Sequence, residues 1–190
     1  MGKADESKRR LLEAATAEFA EHGIAGARVD RIVEAAQVNK AQMYAWYTSK
    51  HKLFDAVLDL HVLEIVNAVP LDVDDLPGYA ARLYDAHLAR PLLTRLAAWA
   101  RLERVPTGDL FGHLRDHNEA RLESVRAAQA SGRIVPDVAP EDVLAMITAT
   151  AQAWSPISLE TAATPDEEPA VHERRKRALA ETVRRAFVPA

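Results

Sequence analysis

The sequence predicts an all-α fold of about nine helices, with a compact three-helix unit at the N-terminus and a larger helical region after it. The 190-residue chain is rich in Ala, Leu, Glu and Arg and has only 7 Gly, a composition that favours helices. Apolar residues recur at intervals of three and four, and no alternating run of Val, Ile and Thr predicts a sheet. With 48% hydrophobic residues, the chain can bury a core of ordinary size.

Three short helices open the chain. Residues 8–22 carry one apolar stripe that ends at Gly23, residues 29–36 carry a second, and residues 40–47 form a third helix after a link at 37–39. Two helices joined by so short a link have helix-turn-helix spacing, in which the later helix enters the major groove of DNA. Lys40 and Gln42 suit that role, since lysine binds phosphate or bases and glutamine pairs with adenine.

Six further helices follow. Ser49 is the expected N-cap of a long fourth helix that ends at Pro70, and an acidic connector follows at 71–77. The remaining helices are predicted near 78–88, 91–104, 108–131, 140–160 and 167–187. We expect a DNA-binding domain over 1–54 and an effector-binding and dimerisation domain over 55–190.

Charge and composition narrow the possible functions. The net charge is -4, but residues 1–54 hold nine Lys or Arg against seven Asp or Glu, so only this part has the sign that phosphates attract. The absence of Cys excludes disulfides and thiol chemistry. Because the chain shows neither a signal peptide nor a membrane span, we expect a cytoplasmic protein, and we expect no cofactor.

Several short motifs in the first third resemble the TetR family of transcriptional regulators. In order and at the family spacing they are Phe19-Ala-Glu-His-Gly23, Val29-Asp-Arg-Ile32, Ala36-Gln-Val-Asn-Lys40, Met43-Tyr-Ala-Trp-Tyr47, Ser49-Lys50 and Leu53-Phe54. The resemblance implies a homodimer that binds a palindromic operator, acts as a repressor and is released by a small-molecule effector. It also implies that Tyr44 and Lys50 grip phosphates, that Trp46 lies near the DNA backbone and that Lys40 to Met43 face the groove. The complete set of expected DNA-binding residues is Arg28, Asn39, Lys40, Ala41, Gln42, Met43, Tyr44, Trp46 and Lys50.

The chain departs from the family pattern at three places. Gln37 stands where the turn usually has Gly, and a left-handed conformation there would cost about 1 kcal/mol. Ala27-Arg28 replaces the usual Ser or Thr cap of the second helix, which makes Arg28 a possible phosphate ligand. Ala41 replaces a frequent Gly and could contact a thymine methyl group. An alternative interpretation makes Tyr44 and Trp46 plain core aromatics and Lys40 and Lys50 solvated charges.

The C-terminal region carries weaker signals. By resemblance, helices near 140–160 and 167–187 form the dimer interface, the first through a face of Val143, Leu144, Ile147, Ala151 and Trp154. The basic run at 174–177 is expected to pair with Glu167, Glu168, Glu173 and Glu181. The residues expected to line an effector pocket are Trp99, Phe111, Leu114, His117, Asn118, Met146 and Trp154.

Other functions receive less support from the sequence. His113 and His117 lie four apart and could share a metal, but no third ligand is identifiable, so no metal site is predicted. There is no G-x-S-x-G, glycine-rich phosphate loop or H-E-x-x-H motif, so an enzyme is not expected. The remaining alternative is a helical adaptor that binds proteins without binding DNA.

Overall fold

A computed structural model describes residues 2–108, 110 and 115–189. The regular secondary structure of the described part consists of helices alone, which confirms the all-α prediction, and its nine helices run in chain order as follows: α1 Lys3–Gly26, α2 Val29–Ala36, α3 Lys40–Tyr47, α4 Lys50–Ala68, α5 Leu76–Ala89, α6 Pro91–Glu103, α7 Arg115–Ala130, α8 Pro140–Ala151 and α9 Pro169–Phe187. In the described residues, no helix combines the length and apolar character that a membrane crossing needs.

The chain divides into two compact units, Met1–Ile65 with Leu92–Leu110, and Val66–Pro91 with Phe111–Ala190. In the first unit α2 packs on α1 and α3 packs on α2. In the second, α5 packs against α8 and α9, and α8 also contacts α7 and α9. The boundary predicted between residues 54 and 55 stays a prediction.

Gly23 interrupts α1, as the sequence predicts. Its φ of 71° and ψ of -175° are not helical and belong to a region of backbone conformation that is essentially restricted to glycine. A Cβ here would lie 2.7 Å from Glu103 Oε1 and 2.9 Å from the Trp99 ring. Glu103 also accepts a hydrogen bond from the Ala25 N–H at 2.8 Å. Gly23 therefore permits both the kink in α1 and the close approach of α6.

Helix α8 is shorter than predicted. It ends at Ala151, and residues 152–160 form turns instead of the helix expected to reach 160. Ser155 precedes Pro156, and the residue before a proline is disfavoured in helical conformation, while proline itself lacks the N–H that a helix needs. Trp154 consequently lies beyond the helix.

The predicted dimer face of α8 is also wrong. Val143, Leu144, Ile147 and Ala151 are all buried within the subunit, where α8 contacts α5, α7 and α9. An apolar stripe on a helix packs against an apolar surface, which can belong to the same subunit or to a partner. Here the surface belongs to the same subunit.

Candidate nucleic-acid interface and ligand cavity

The link between α2 and α3 is a tight helix stop. Gln37 adopts a left-handed conformation with φ 55° and ψ 42°, and its N–H donates to the Glu34 carbonyl while the Val38 N–H donates to the Val33 carbonyl. This pair of hydrogen bonds is the Schellman motif, which normally has glycine in the left-handed position. The sequence left the conformation of Gln37 open, and the structure shows that it is left-handed although the residue has a Cβ.

Asn39 then starts α3. Its Oδ1 accepts a hydrogen bond from the Gln42 N–H at 2.7 Å, which is the standard N-cap arrangement. On α1, Arg10 Nε donates to the Ala36 carbonyl at 3.1 Å and so holds the end of α2. The turn is therefore held at both sides, and the Asn39 side-chain oxygen is already used within the fold.

The inner side of the unit is apolar. Ile32, Val33 and Ala36 are buried on α2, and the Phe19 and Phe54 rings meet edge to face with centroids 5.2 Å apart. Helix α3 contributes Met43 to the buried side chains of this unit.

Met43 is the buried residue of α3. None of its surface is exposed, so the prediction that its side chain faces the DNA groove is wrong. The apolar and aromatic residues of α3 do not form one stripe, and Met43 is the residue of this helix that is buried. By contrast, Lys40, Ala41, Tyr44 and Ala45 are exposed, with 41% of Tyr44 accessible. These four residues, which we call the reading face, are free to meet another molecule.

Most cations near the reading face have partners. The Arg31 Nε donates to both oxygens of Glu18, at 2.9 and 3.0 Å, and the Arg28 backbone N–H donates to the same carboxylate at 2.8 Å. Burial alone would raise the pKa of Glu18, but these bonds outweigh it and hold the pKa below its usual value. The Arg28 side chain is exposed and pairs with no described residue. Arg28 is therefore better placed than Arg31 to meet a phosphate.

Two expected phosphate ligands also bind within the unit. Lys40 Nζ lies 2.9 Å from Asp30 Oδ1, and this carboxylate raises the pKa of Lys40. Lys50 Nζ donates to the Ala25 carbonyl at 3.2 Å and to the Ala27 carbonyl at 2.9 Å. Lys50 thus ties the α1–α2 link to the start of α4, with one of its three donors left over.

Trp46 is half-buried and lies beneath a cation from α1. The Lys8 Nζ is 5.7 Å from the centre of the Trp46 ring, within cation–π range. Gln42 is also half-buried. The contacts expected of these residues with DNA stay predictions.

A cavity of about 300 Å³ lies in the second unit. Its lining comes from the end of α5, the end of α8 and the segment that follows α8: Tyr84, His87, Leu88 and Pro91; Ala151 and residues 154–156; and residues 162–165. The Ala163 N–H donates to the Trp154 carbonyl at 2.8 Å, which holds two parts of this wall together. The volume is at the lower end of the range for small-molecule sites.

Two residues of the cavity lining carry a buried side-chain atom without a hydrogen-bond partner among the described residues. His87 and Ser155 are 7% and 6% exposed, and His87 Nδ1 and Ser155 Oγ have no hydrogen-bond partner among the described residues. Burial lowers the pKa of His87 to about 4, so its ring is neutral at neutral pH. Buried polar atoms without partners are uncommon in folded proteins.

Aromatic rings form another part of the wall. Tyr84 and Trp154 meet edge to face with centroids 5.9 Å apart, and the Tyr84 hydroxyl lies 2.7 Å from His172 Nδ1. Behind them, Arg175 is 5% exposed, stacks 5.7 Å from the Trp154 ring centre and pairs with Glu167 at 2.9 Å. The expected pairing of the basic run at 174–177 with nearby glutamates is confirmed for this residue.

The residues predicted to line an effector pocket are scattered. Trp154 lines the cavity. Trp99 lies in the first unit, where its Nε1 donates to the Ala20 carbonyl at 3.3 Å. Met146 is 51% exposed on α8 and Asn118 is half-buried on α7, and neither lines this cavity.

Part of that prediction cannot be compared with the structure. Phe111 and Leu114 lie outside the described residues, as does His113, and so does the side chain of His117. No group of three potential metal ligands occurs within the described ranges. That search does not include the side chains of His113 and His117, so a metal shared by these two residues stays an untested alternative.

Sequence reasoning missed Tyr84, His87 and Ser155. The first two lie three apart on α5, a spacing that places both on one helix face. That signal was present in the sequence, but nothing in it indicated which distant segment would face them.

Comparison with known proteins identifies the chain's relatives. A family model for bacterial regulatory proteins of the tetR family matches residues 11–57, and one for the Tetracyclin repressor-like C-terminal domain matches residues 75–185. The chain is 40% identical over 151 residues to the HTH-type transcriptional repressor SCO4008 of Streptomyces coelicolor, covering 78% of each protein.

Solved structures agree with these matches. The crystal structure of the transcriptional regulator SCO4942 from Streptomyces coelicolor is similar with a TM-score of 0.81 at 39% identity, over 95% of this chain and 98% of that one. A TetR regulator from Chloroflexus aurantiacus shares the fold over all of both chains, with a TM-score of 0.68 at 23% identity. The chain thus belongs to the TetR family and is a helix-turn-helix transcriptional regulator.

Proposed function

We propose that the protein is a repressor that binds a palindromic operator as a homodimer and leaves it when a small molecule occupies the cavity of its second unit. The observation that carries the DNA-binding part is the reading face of α3, which is exposed and follows a turn held at both ends. Binding to a chromosomal operator would place the protein in the cytoplasm.

The proposed DNA contacts are of two kinds, those to base edges and those to phosphates. Lys40, Ala41 and Tyr44 lie where an α3 helix in the major groove would meet base edges and the flanking phosphates. Arg28 would bind phosphate, and the remaining donor of Lys50 would do the same. Asn39, Gln42 and Trp46 support this surface from its edge, while Met43 supports it from inside.

Dimerisation is proposed through α8 and α9, on a face different from the one that the sequence indicated. Ala145, Met146 and Ala149 are exposed on α8, and small residues allow helices to approach closely. We expect Ala149→Glu to shift the protein from dimer to monomer in light scattering coupled to gel filtration. Ala120→Glu, at an exposed position of α7, is the matched control and should stay dimeric.

Release follows from the geometry of two linked half-sites. A dimer binds both only when its reading helices are about one turn of DNA apart. A ligand that binds a different dimer geometry more tightly lowers operator affinity, at most by the ratio of its affinities for the two geometries. Operator binding lowers the ligand's affinity by the same factor as the ligand lowers operator affinity. Repression is consistent with the name of the SCO4008 relative.

The DNA-binding proposal is tested by selection from a random duplex library followed by gel shifts on the enriched sequence. We expect a palindrome, and a log affinity that falls linearly with log salt concentration. Because each residue occurs twice in the dimer, Arg28→Gln should lower the steepness of that line by about 1.8, from roughly 0.9 per phosphate contact. Arg126→Gln is the control, since Arg126 lies on α7 and pairs with Glu119 and Glu123.

Two results would contradict this proposal. Failure to enrich any palindrome would contradict the claim that the protein binds a palindromic operator. An affinity for DNA that does not depend on salt concentration would favour the alternative of a protein-binding adaptor.

A further inference from the structure

We propose that Asp30 is a specificity-determining residue for DNA binding. Its carboxylate holds the Lys40 ammonium back from phosphates, and this weakens binding to DNA outside the operator more than it weakens binding to the operator. The sequence pattern did not assign Asp30 to the DNA-binding residues. The inference rests on the proposed function, because it requires the reading face to meet an operator.

The position of Asp30 is the first observation. Asp30 lies in the first turn of α2, and Lys40 is the first residue of α3. The two side chains meet across the turn, with Asp30 Oδ1 2.9 Å from Lys40 Nζ. Tyr44 follows Lys40 by four residues and so lies beside it on α3. Because Lys40 and Tyr44 belong to the reading face, the ion pair brings a negative charge to the edge of that face.

The second observation is that both partners are accessible. The side chains of Lys40 and Asp30 keep 50% and 79% of their surface exposed, so a DNA phosphate can approach either one. Solvent screens such exposed pairs, and they contribute little to the stability of a fold. The effect of Asp30 therefore concerns a third charge: a phosphate that Lys40 attracts is repelled by the carboxylate beside it.

Arg28 shows what an unpaired cation offers. Its exposed side chain pairs with no described residue, so its whole charge is available to a phosphate. Lys40 and Asp30 together have no net charge, and the carboxylate raises the pKa of Lys40 because it favours the protonated amine. Each phosphate that a protein neutralises adds roughly 0.9 to the salt dependence of binding. The paired lysine adds less than Arg28 does.

The link to specificity follows from how DNA is bound. Phosphate contacts supply essentially all of the affinity for DNA without an operator, whereas base contacts add to them at the operator. An ammonium has three donors, so Lys40 can keep its contact with Asp30 and still donate to a base edge. A restraint on phosphate binding therefore lowers the affinity for non-operator DNA by the larger factor.

The test compares the full-length protein with Asp30→Asn, which removes the charge and keeps nearly the same shape. Fluorescence anisotropy gives the affinities for the enriched palindrome and for a duplex of the same bases in scrambled order, over a series of salt concentrations. We expect Asp30→Asn to bind the scrambled duplex at least about fivefold more tightly at low salt, where charges are least screened. Its salt dependence should steepen by up to about 1.8, roughly 0.9 for each of the two Lys40 residues of a dimer. Affinity for the palindrome should rise by no more than about twofold.

Three further variants identify the cause. Asp137→Asn, at an exposed position of the second unit, changes the net charge by the same amount and should leave both affinities within about 1.5-fold. Asp30→Ser lacks the charge and also lacks the asparagine amide, which could itself contact a base, and should behave like Asp30→Asn. Adding Lys40→Gln to Asp30→Asn should remove the gain on the scrambled duplex, because the gain comes from the released lysine.

Three outcomes overturn the inference. Asp30→Asn binds the scrambled duplex no more tightly than the unchanged protein does, it strengthens binding to both duplexes by the same factor, or the gain persists after Lys40→Gln. These failures differ from failure of the proposed function, in which no palindrome is enriched. A protein that selects a palindrome but does not respond to Asp30→Asn keeps its operator, and only the role of Asp30 is lost.

Discussion

Gln37 offers a direct energetic test of the turn that holds the reading helix. It is the residue after α2, in a left-handed conformation with φ 55°, and its side chain is exposed and bonds to no described residue. In Gln37→Gly the backbone hydrogen bonds of the turn can therefore be kept while the Cβ is removed.

The size of the effect follows from two opposing terms. A residue with a Cβ pays about 1–2 kcal/mol to be left-handed, and glycine avoids this cost. Glycine instead loses about 0.5–1 kcal/mol through the greater freedom of the unfolded chain. We expect Gln37→Gly to raise the free energy of unfolding by about 0.5–1 kcal/mol, which corresponds to a rise in Tm of roughly 1–4 °C for a chain of this length.

Two companion variants isolate the cause. Gln37→Ala keeps the Cβ and should change the free energy of unfolding by less than about 0.5 kcal/mol. Ala35→Gly, at an exposed position inside α2, should lower it by about 0.5–1 kcal/mol, because glycine there has only the entropic penalty. The assay is urea unfolding followed by circular dichroism, at one protein concentration because a dimer's stability depends on it. If Gln37→Gly were neutral or destabilising while Ala35→Gly behaved as expected, the left-handed turn would be refuted.

Three further predictions concern buried positions. Met43→Ala should lower the free energy of unfolding by about 2–5 kcal/mol and Met43→Leu by less than about 1.5 kcal/mol; in urea unfolding, a minor loss in the alanine variant would show that Met43 is not core. Gly23→Ala should cost more than about 1 kcal/mol, since its φ is 71° and its Cβ would lie 2.9 Å from Trp99; an unchanged Tm would contradict this. The pKa of His87 is lowered from 6.5 to about 4, so below pH 6.5 the unfolded state binds a proton that the folded state refuses. The contribution of His87 to the free energy of unfolding is therefore fully present above pH 6.5, and that free energy falls by roughly 3 kcal/mol as the pH drops to about 4. In unfolding measured across pH, His87→Phe should make the free energy of unfolding depend less on pH. An equal slope in both proteins would rule His87 out as the source of the dependence.

Much of the fold could be predicted because local signals agree with one another. The stripes of α1 and α2, the stop at Gly23 and the link at 37–39 were all readable from helical spacing and residue type. The resemblance to the TetR family depended on these same residues, and it is confirmed.

The predictions for α3 and α8 were wrong where the local pattern of apolar residues was compatible with more than one packing partner. Helix α3 has no single apolar stripe, so the sequence could not indicate that Met43 packs inward while Tyr44 stays 41% exposed. On α8 a clear stripe was assigned to a partner subunit, but Val143 and Ile147 are fully buried in the subunit's own core. Amphipathic spacing identifies an apolar face without naming the surface that covers it.

The sequence by itself determined most of the helices, the short link at 37–39 and the family, because each depends on residues within a few positions of one another. Only tertiary structure decided which cations stay available and where the cavity lies. Arg31 is neutralised by Glu18, 13 positions away in the chain, and His87 meets the wall that contains Ser155 through packing of α5 against α8. Such pairings are set by how whole helices pack, and helix packing is a property of the complete core, which no short stretch of sequence contains.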